Sequence, residues 1–159
     1  MRPLVAVFGG SSPTEAQASL AEEVGRALAE AGAVLVCGGR GGVMEAACRG
    51  AKRAGGVTVG VLPGLDAGEA NPYVDIPIVT GMGEARNAII ARTAEVAIAV
   101  GGSYGTLSEI ALALSFDRPV VGLKTWVMER EGRPSVPIVR AETAEAAVKE
   151  ALARLRRIT

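Results

Sequence analysis

The sequence predicts a single α/β domain: a three-layer, doubly wound parallel sheet of about seven strands with helices on both faces. Short apolar runs alternate along the chain with segments whose apolar residues recur at helical spacing. The apolar runs are almost solid Val, Ile, Leu and Ala, which is typical of strands buried on both faces. The 159 residues are about the length of one domain, and no linker or solenoid repeat divides them.

The first predicted unit is a strand over Val5–Phe8 followed by a helix over Thr14–Ala31. A Gly-Gly pair stops the strand, and the helical segment carries an apolar stripe of period 3.6. The segment Ser12-Pro13-Thr14-Glu15 has the form of a capping box with Pro at the first helical position. Gly32 then ends the helix.

The rest of the chain repeats this alternation. The further predicted strands are Val34–Cys37, Val57–Leu62, Asp75–Val79, Val96–Val100, Val120–Leu123 and Val136–Val139. The further predicted helices are Val43–Ala54, Glu84–Thr93, Leu107–Phe116 and Ala144–Arg157. Pro63–Tyr73 is rich in turn-forming residues and is predicted to be a loop, and Glu129–Pro134 is predicted to be a charged turn region.

Charge and aromatic content argue against a nucleic-acid partner. Lys plus Arg and Asp plus Glu are 17 each, so the chain has no basic footprint. Aromatic residues make up 3% of the chain, too few for a base-stacking surface. No stretch reaches the ~20 apolar residues of a membrane span, and the apolar N-terminus is too short for a signal peptide. We therefore expect a cytoplasmic protein without a membrane partner.

Histidine is absent, which excludes Ser-His-Asp catalysis, Cys-His catalysis and His-ligated zinc. The two cysteines, Cys37 and Cys48, form no CxxC motif. We expect both to be buried free thiols in a reducing cytosol, with a disulfide between them as the alternative. Neither a metal nor an organic cofactor is predicted.

Three glycine-rich loops carry the strongest functional signal. They follow predicted strands at residues 9–12, 38–42 and 101–105, and each opens a helix. The carboxyl ends of the strands in a doubly wound sheet meet at one edge, where ligands bind. Helix N-termini offer free N–H groups and partial positive charge to a phosphate, and glycine lets the backbone approach it. Turns of this kind also need glycine for structural reasons, but three on one edge favour a phosphate site.

The loops do not match the known nucleotide fingerprints. None has the Gly-Lys-Ser/Thr of a Walker A loop, and none combines G-x-G-x-x-G with a suitably spaced acid, so a dinucleotide cofactor is not indicated. Glu15, if it closes the capping box, places a carboxylate near the first loop and repels phosphate there. We therefore expect the phosphate nearer residues 101–106, with Ser11 and Ser12 as supporting donors.

Arg86 and Glu109 are the candidate catalytic residues. Arg86 opens the helix after the fourth strand, and Glu109 lies about one turn into the apolar helix behind the third loop. The alternatives are a solvated or salt-bridged Arg86 and a surface or capping Glu109. Arg40 lies within reach of a phosphate unless it is solvated, and Tyr104 either stacks on a base or covers its loop.

At these residues the sequence resembles the LONELY GUY family, long mislabelled as lysine decarboxylases. The family motif P-G-G-x-G-T-x-x-E is similar to residues 101–109. The matching positions are Gly102, Gly105, Thr106 and Glu109. Gly101 stands in place of the family's Pro, and Ser103 in place of its second Gly.

Three further motifs extend the resemblance over roughly residues 4–125. The family's G-G-x-x-G-x-M stretch matches Gly38, Gly39, Gly42 and Met44. Its Arg-Lys pair falls on Arg86 and Asn87, so the Arg is kept and the Lys is replaced. Gly10-Ser11-Ser12 is similar to the family's opening Gly-Ser-Ser.

The resemblance implies a Rossmann-like homo-oligomer, a dimer or larger. Characterised members hydrolyse the N-glycosidic bond of cytokinin nucleoside 5′-monophosphates, and their catalytic Glu and Arg correspond to Glu109 and Arg86. A related branch resembles molybdenum-cofactor carriers, which bind a phosphorylated pterin without turning it over. The wider superfamily includes a DNA-processing protein that binds single strands. The implied substrate- and phosphate-binding residues are Gly10, Ser11, Ser12, Gly38, Gly39, Gly42, Met44, Asn87, Gly102, Ser103, Tyr104, Gly105 and Thr106.

The sequence leaves two main functions open. The first is a hydrolase for nucleoside 5′-monophosphates, in which the Glu109 carboxylate stabilises an oxocarbenium-like transition state or activates water and Arg86 holds the phosphate. The alternative is a non-catalytic carrier of a nucleotide or pterin, which the replacements at Gly101, Ser103 and Asn87 favour. A pyridoxal-dependent decarboxylase is disfavoured, because two of the three lysines lie on predicted helix faces. A single-strand DNA binder is disfavoured by the neutral charge.

Overall fold

Every strand of the sheet runs parallel to its neighbours. The computed structural model describes residues 1–133 and 135–155. The strands are β1 (Leu4–Gly9), β2 (Val34–Cys37), β3 (Val57–Leu62), β4 (Ile76–Val79), β5 (Val96–Val100), β6 (Val120–Leu123) and β7 (Ile138–Arg140). The helices are α1 (Glu15–Glu30), α2 (Val43–Arg53), α3 (Asn87–Thr93), α4 (Tyr104–Ser115) and α5 (Ala144–Leu155). The predicted fold class is confirmed.

The order of the strands is β4-β3-β2-β1-β5-β6-β7. The chain starts in the middle, winds outward to β4, and then crosses back to β5 on the other side of β1. The loops after β1 and β5 therefore leave the sheet edge in opposite directions and open a crevice between them, which is where ligands bind in such sheets.

The side-chain alternation of β1 explains why both faces of the sheet are covered. Val5 and Val7 point into a core formed with α1, α2 and α5, whereas Ala6 and Phe8 point into a second core formed with α3 and α4. All four side chains are essentially fully buried. Burial on both faces is the reason that the sequence reads as a solid apolar run.

Four predicted strands have the bounds seen in the structure: β2, β3, β5 and β6. The last strand was predicted at Val136–Val139 but begins at Ile138, because Pro137 has no N–H to donate to a ladder. The predicted helix Glu84–Thr93 is a 3-10 helix over Gly83–Arg86 that continues into α3. The predicted end of the last helix at Arg157 and the predicted turn residue Pro134 lie outside the described residues.

The capping of α1 differs from the prediction. The cap is Thr14, whose side chain accepts from the Gln17 backbone N–H, while Gln17 Oε1 accepts from the Thr14 N–H. Ser12 is therefore not the cap, and Glu15 does not close a capping box. The expectation that Glu15 holds a carboxylate against the first loop through such a box was wrong, because Gln17 occupies the third helical position after Thr14.

α4 begins three residues before the predicted start at Leu107. Ser103 is its cap, and the Ser103 backbone N–H donates to Thr106 Oγ1 at 3.3 Å. The third glycine loop is consequently shorter than predicted, and Tyr104, Gly105 and Thr106 form the first helical turn. Among residues 1–133 and 135–155, no helix is long and apolar enough to cross a bilayer.

A reciprocal pair of glycines lets α1 and α2 pack closely. A Cβ at Gly25 would lie 1.9 Å from the Ala47 carbonyl oxygen, and a Cβ at Gly50 would lie 1.9 Å from the Glu22 carbonyl oxygen. Both contacts are with helix backbone, which cannot move aside as a side chain can. Glu22 also bridges the pair through Arg49 and Arg53.

Gly25→Ala is expected to destabilise the fold by ~3 kcal/mol, because the overpacking of two helix backbones outweighs the ~1 kcal/mol gain in helix propensity. Urea unfolding followed by circular dichroism measures the change. Ser19→Ala on the exposed part of α1 is the control and is expected to leave stability within ~0.5 kcal/mol. Equal stability of the two variants would contradict the close packing described for Gly25.

Candidate functional site

A cleft of about 370 Å³ lies at the carboxyl edge of the sheet, in the crevice between the loops after β1 and β5. We call it the Arg86 cleft. Its walls come from all three glycine loops, the 3-10 helix before α3, and the first turns of α4. It is lined by Gly9, Gly10, Ser11, Arg40, Gly41, Met44, Glu84, Arg86, Asn87, Ser103, Gly105, Thr106 and Glu109.

The guanidinium of Arg86 lies under the second glycine loop. Arg86 is only 5% exposed, although it ends a short 3-10 helix and not a long buried element. A Cβ at Gly38 would lie 2.1 Å from Arg86 Nη1 and 2.7 Å from Met44 Sδ. Gly38 is thus needed to admit the guanidinium, which is a different role from the direct phosphate contact that the sequence predicted.

Two nitrogens of Arg86 lack a hydrogen-bond partner. Nε and Nη1 are buried, and none of the described residues accepts a hydrogen bond from either. Buried polar atoms in native proteins are normally satisfied, and a buried guanidinium without a counter-charge is costly. Arg86 therefore carries a buried positive charge that no ion pair among the described residues balances, and the solvated or salt-bridged alternative does not fit.

Asn87 is buried next to Arg86. Its Nδ2 donates to Glu84 Oε2 at 3.4 Å, and its Oδ1 has no partner among the described residues. Asn87 stands where the resembled family has a lysine, so this side of the cleft offers a neutral amide with a free acceptor instead of an ammonium donor. Glu84 was not predicted as a site residue, and its only signal in the sequence is its position two residues before Arg86.

Glu109 is 8% exposed, so it is neither a surface carboxylate nor a helix cap. Burial raises the pKa of its carboxyl to about 8; the positive charge of Arg86 opposes this shift, and the negative charge of Glu84 adds to it. In the empty cleft the neutral acid therefore predominates at pH 7. This differs from the carboxylate expected from sequence, because the depth of the cleft could not be read from the spacing of residues.

The first two loops interlock at the cleft floor. The Val43 backbone N–H donates to the Gly10 carbonyl at 3.0 Å, which ties the start of α2 to the loop after β1. Gly42 has φ +73, and a Cβ there would lie 2.3 Å from the Gly10 oxygen. The positive φ and the close approach of the Gly10 oxygen both require glycine at position 42. Gly42 shapes the wall of the cleft but does not line it.

The third loop presents the N-terminus of α4 to the cleft. The first turn of an α-helix has N–H groups without helical partners, and here Gly105 contributes one with no side chain in front of it. A Cβ at Gly105 would meet only Ser103 Oγ, at 3.9 Å. This turn is the part of the cleft best suited to bind an anion through the backbone.

The structure brings most of the predicted site residues together, although their roles stay predictions. The predicted residues that line the Arg86 cleft are Gly10, Ser11, Met44, Arg86, Asn87, Ser103, Gly105, Thr106 and Glu109. Ser12 and Gly102 line an adjoining cleft, whereas Gly38, Gly39 and Gly42 lie beneath the walls. Arg40, weighed from sequence as a phosphate contact, does line the cleft.

Tyr104 points away from the Arg86 cleft. It is 81% exposed, and its ring centroid lies 5.8 Å from that of Trp126. Gly9, Gly41 and Glu84 line the cleft without having been predicted. The sequence signal for Gly9 and Gly41 was their position in glycine-rich loops that also contain predicted site residues.

The thiols of Cys37 and Cys48 are free and buried beneath the second loop, with their Sγ atoms 3.6 Å apart. Within the described part of the chain, no group of three or more His, Cys, Asp or Glu side chains is placed to hold a metal ion. The cleft brings together one buried guanidinium, one helix N-terminus and one carboxyl whose pKa burial raises.

Comparisons with known proteins agree with this description. The model of the LDcluster4 family, described as SLOG cluster4, matches residues 2–149. A cytokinin riboside 5′-monophosphate phosphoribohydrolase from Mycobacterium tuberculosis is 36% identical over 132 residues, which is 77% of this chain and 71% of that protein. That similarity confirms the resemblance drawn from the motifs.

Solved structures match over nearly the whole chain. The molybdenum cofactor binding protein from Rippkaea orientalis is 34% identical, with a TM-score of 0.87 over 100% of this chain and 99% of that one. The molybdenum cofactor carrier protein from Chlamydomonas reinhardtii is 38% identical, with a TM-score of 0.85 over 98% and 99% of the two chains.

Glu109→Gln is expected to stabilise the empty protein at neutral pH. The raised pKa means that the folded state keeps a proton between pH 4.5 and about 8 while the unfolded state has lost it, so wild-type stability falls as the pH rises through this window. Between pH 4.5 and pH 7 the free energy of unfolding of the wild type should fall by ~3 kcal/mol relative to that of the Gln variant. Below pH ~4 the two proteins should respond to pH in parallel.

Urea titrations of both proteins at several pH values between 4 and 8 measure this difference. Glu23→Gln, on the exposed part of α1, is the control, and its stability difference from wild type should stay flat. If the stability difference between Glu109→Gln and the wild type also stayed constant across this pH range, the assignment of a neutral Glu109 would be wrong.

Proposed function

The chain belongs to the SLOG cluster4 family, and on that premise we propose that it binds a phosphorylated pterin of the molybdenum-cofactor type in the Arg86 cleft and carries it without chemical change. The observation that carries this proposal is the buried guanidinium of Arg86 with two unsatisfied nitrogens. A phosphate monoester in the cleft supplies the counter-charge that this guanidinium lacks. The helix N-terminus of α4 then binds the remaining phosphate oxygens.

The protonation of Glu109 and the identity of residue 87 support binding without turnover. A neutral carboxyl at pH 7 donates a hydrogen bond to a ring nitrogen or carbonyl, but does not stabilise a developing cation as a carboxylate would. Asn87 lines the same cleft and brings a neutral amide in place of the ammonium donor of the resembled family. Both groups suit the donor–acceptor edge of a pterin ring.

Similarity to a solved structure over nearly the full chain also supports the carrier proposal. The molybdenum cofactor carrier protein from Chlamydomonas reinhardtii and this chain correspond along almost their entire lengths. The similarity to the phosphoribohydrolase covers less of both chains.

A nucleoside 5′-monophosphate phosphoribohydrolase is the second candidate, favoured by the meeting of Arg86 and Glu109 in one cleft. In that reaction the bond between the base nitrogen and the sugar C1′ breaks, and water adds a hydroxyl to C1′. The leaving base takes a proton, which the carboxyl of Glu109 is suited to donate near neutral pH because of its raised pKa. Arg86 holds the phosphate and orients the sugar.

Two coarser expectations accompany this proposal. We propose a homodimer, since exposed apolar side chains cluster around the outer edge strand β4 and the loops beside it, at Leu65, Ile76, Ile78, Val79 and Met82. We propose a cytoplasmic location, because free cysteine pairs persist in reducing compartments.

Arg86→Met is expected to reduce ligand affinity about 100-fold, since charge-assisted hydrogen bonds to phosphate are lost. The same change should preserve or raise the stability of the empty protein, because it removes an unpaired buried charge. Purified protein is mixed with molybdenum cofactor released from a molybdoenzyme, passed through gel filtration, and assayed for pterin fluorescence after oxidation. Arg92→Met is the control, since Arg92 stacks on Phe116 outside the cleft. Undiminished pterin retention by Arg86→Met would exclude the proposed site.

Product analysis separates the two candidate functions. Wild type and Glu109→Gln are incubated with AMP and N6-substituted AMP, and free base is sought by chromatography. The carrier proposal predicts no base release by either protein. Release by the wild type that falls at least 100-fold in Glu109→Gln would replace the carrier with the hydrolase, with Glu109 as its general acid.

The apolar edge near β4 is tested by light scattering during gel filtration. The wild type should elute as a dimer, and Ile78→Glu should dissociate it, because a charge there would lose its solvation at the interface. Thr93→Glu, an exposed change on the far side of α3, should leave the dimer intact. A monomeric wild type would refute the dimer.

A further inference from the structure

The Arg86 cleft does not end at the third glycine loop. A second cleft of about 300 Å³, which we call the Ser12 cleft, shares Gly10, Ser11 and Ser103 with it. A third cleft of about 270 Å³, the Trp126 cleft, shares Gln17 and Gly102 with the second. The three form one trough that passes between the N-termini of α1 and α4.

The trough crosses the sheet at its switch point. The Arg86 cleft is walled by the loops after β1, β2 and β5, whereas the Trp126 cleft is lined by the ends of β5 and β6, through Gly101, Lys124 and Trp126. Ligands made of two ring systems joined by phosphates bind across this crevice in doubly wound sheets, with one half on each side. A monophosphate bound at Arg86 would fill only the first part.

Trp126 lines the far end of the trough, and Tyr104 packs against it just outside the lining. The indole N–H of Trp126 donates to the Ser103 carbonyl at 3.0 Å, and Arg140 donates to the Trp126 carbonyl, so the ring and its backbone are both held in place. Tyr104 lies beside it with its ring almost fully in solvent. A fixed aromatic surface of this kind stacks on a flat heterocycle with little loss of side-chain freedom.

The middle of the trough offers donors to a phosphate link. The capping box of α1 holds Gln17 Oε1 on the Thr14 N–H, so the amide's Nε2 is the end left for the trough, and no described residue accepts from it. Ser11 and Ser12 line the same stretch. Lys124 adds a positive charge at the Trp126 end, where its exposed partner Glu142 lies 3.4 Å away.

We infer that the trough takes a pyrophosphate-linked dinucleotide-type ligand, with the first ring and the phosphate next to it in the Arg86 cleft, the second phosphate in the Ser12 cleft beside Gln17, and the second ring stacked on Trp126 next to Tyr104. This inference rests on the proposed function, since it extends the ligand held at Arg86. The sequence did not indicate a dinucleotide, because no loop combines G-x-G-x-x-G with a suitably spaced acid. The inference rests instead on three adjoining clefts and an aromatic pair.

Trp126 is the single tryptophan of the chain, so its fluorescence reports directly on the distal cleft. The probes are AMP and diadenosine pyrophosphate, titrated into the wild type with fluorescence and calorimetry in parallel. Diadenosine pyrophosphate should bind at least about tenfold more tightly than AMP and quench Trp126, because the second adenine stacks on it. AMP should leave the fluorescence nearly unchanged.

Two variants test whether the gain in affinity for diadenosine pyrophosphate comes from the Trp126 cleft. Trp126→Leu and Tyr104→Ala should each bring the affinity for diadenosine pyrophosphate down to within about threefold of that for AMP. Phe116→Leu removes an aromatic ring outside the trough and should keep the tenfold difference. Circular dichroism identifies any variant that fails to fold, and the wild-type titration tests the inference without variants.

The outcomes separate this inference from the proposed function. Retention of the molybdenum cofactor, together with equal affinity for AMP and diadenosine pyrophosphate or an unquenched Trp126, would overturn the distal subsite and leave the carrier proposal standing. A protein that retains neither the pterin nor either adenine probe would overturn both. Tight binding of diadenosine pyrophosphate with quenching that Tyr104→Ala abolishes supports the inference.

Discussion

The buried guanidinium of Arg86 is the constraint on which the site depends. A charge with unpaired nitrogens is tolerated in an apolar edge of the sheet only where surrounding groups leave room for it and a ligand completes it. Gly38 is small because Nη1 lies against it. The same guanidinium opposes, but does not overcome, the burial that keeps Glu109 protonated. A ligand with an anionic group, as proposed for this cleft, would balance that charge.

The protonation state of Glu109 decides which chemistry its carboxyl can perform. A carboxylate at that position would stabilise a cationic sugar, whereas a neutral acid donates a single hydrogen bond or a proton. Burial in a deep cleft, together with the nearby charge of Glu84, favours the neutral form. Under the proposed function, a bound phosphate would add negative charge near Glu109 and raise its pKa further.

The architecture explains why one sheet edge can serve ligands of different lengths. Because β1 pairs with both β2 and β5, the loops after β1 and β5 diverge and leave a crevice that is open at both ends. Arg86 and Glu109 line the cleft in this crevice, and Trp126 lines the cleft beside the ends of β5 and β6. Small changes in the loops between them alter which part of the trough a ligand occupies, without any change to the sheet.

The amino-acid sequence by itself determined the layers, the parallel sheet and most strand bounds, because strands buried on both faces must be continuous apolar runs and glycine must follow them. It also determined that Arg86 and Glu109 lie near the same sheet edge, since both follow strands whose carboxyl ends meet there. Only the tertiary structure decided their states. Desolvation, the position of Gly38 against Nη1 and the capping of α1 by Thr14 and Gln17 depend on which elements cover each side chain. The trough to Trp126 depends on loops that are distant in sequence, and no local pattern records their approach.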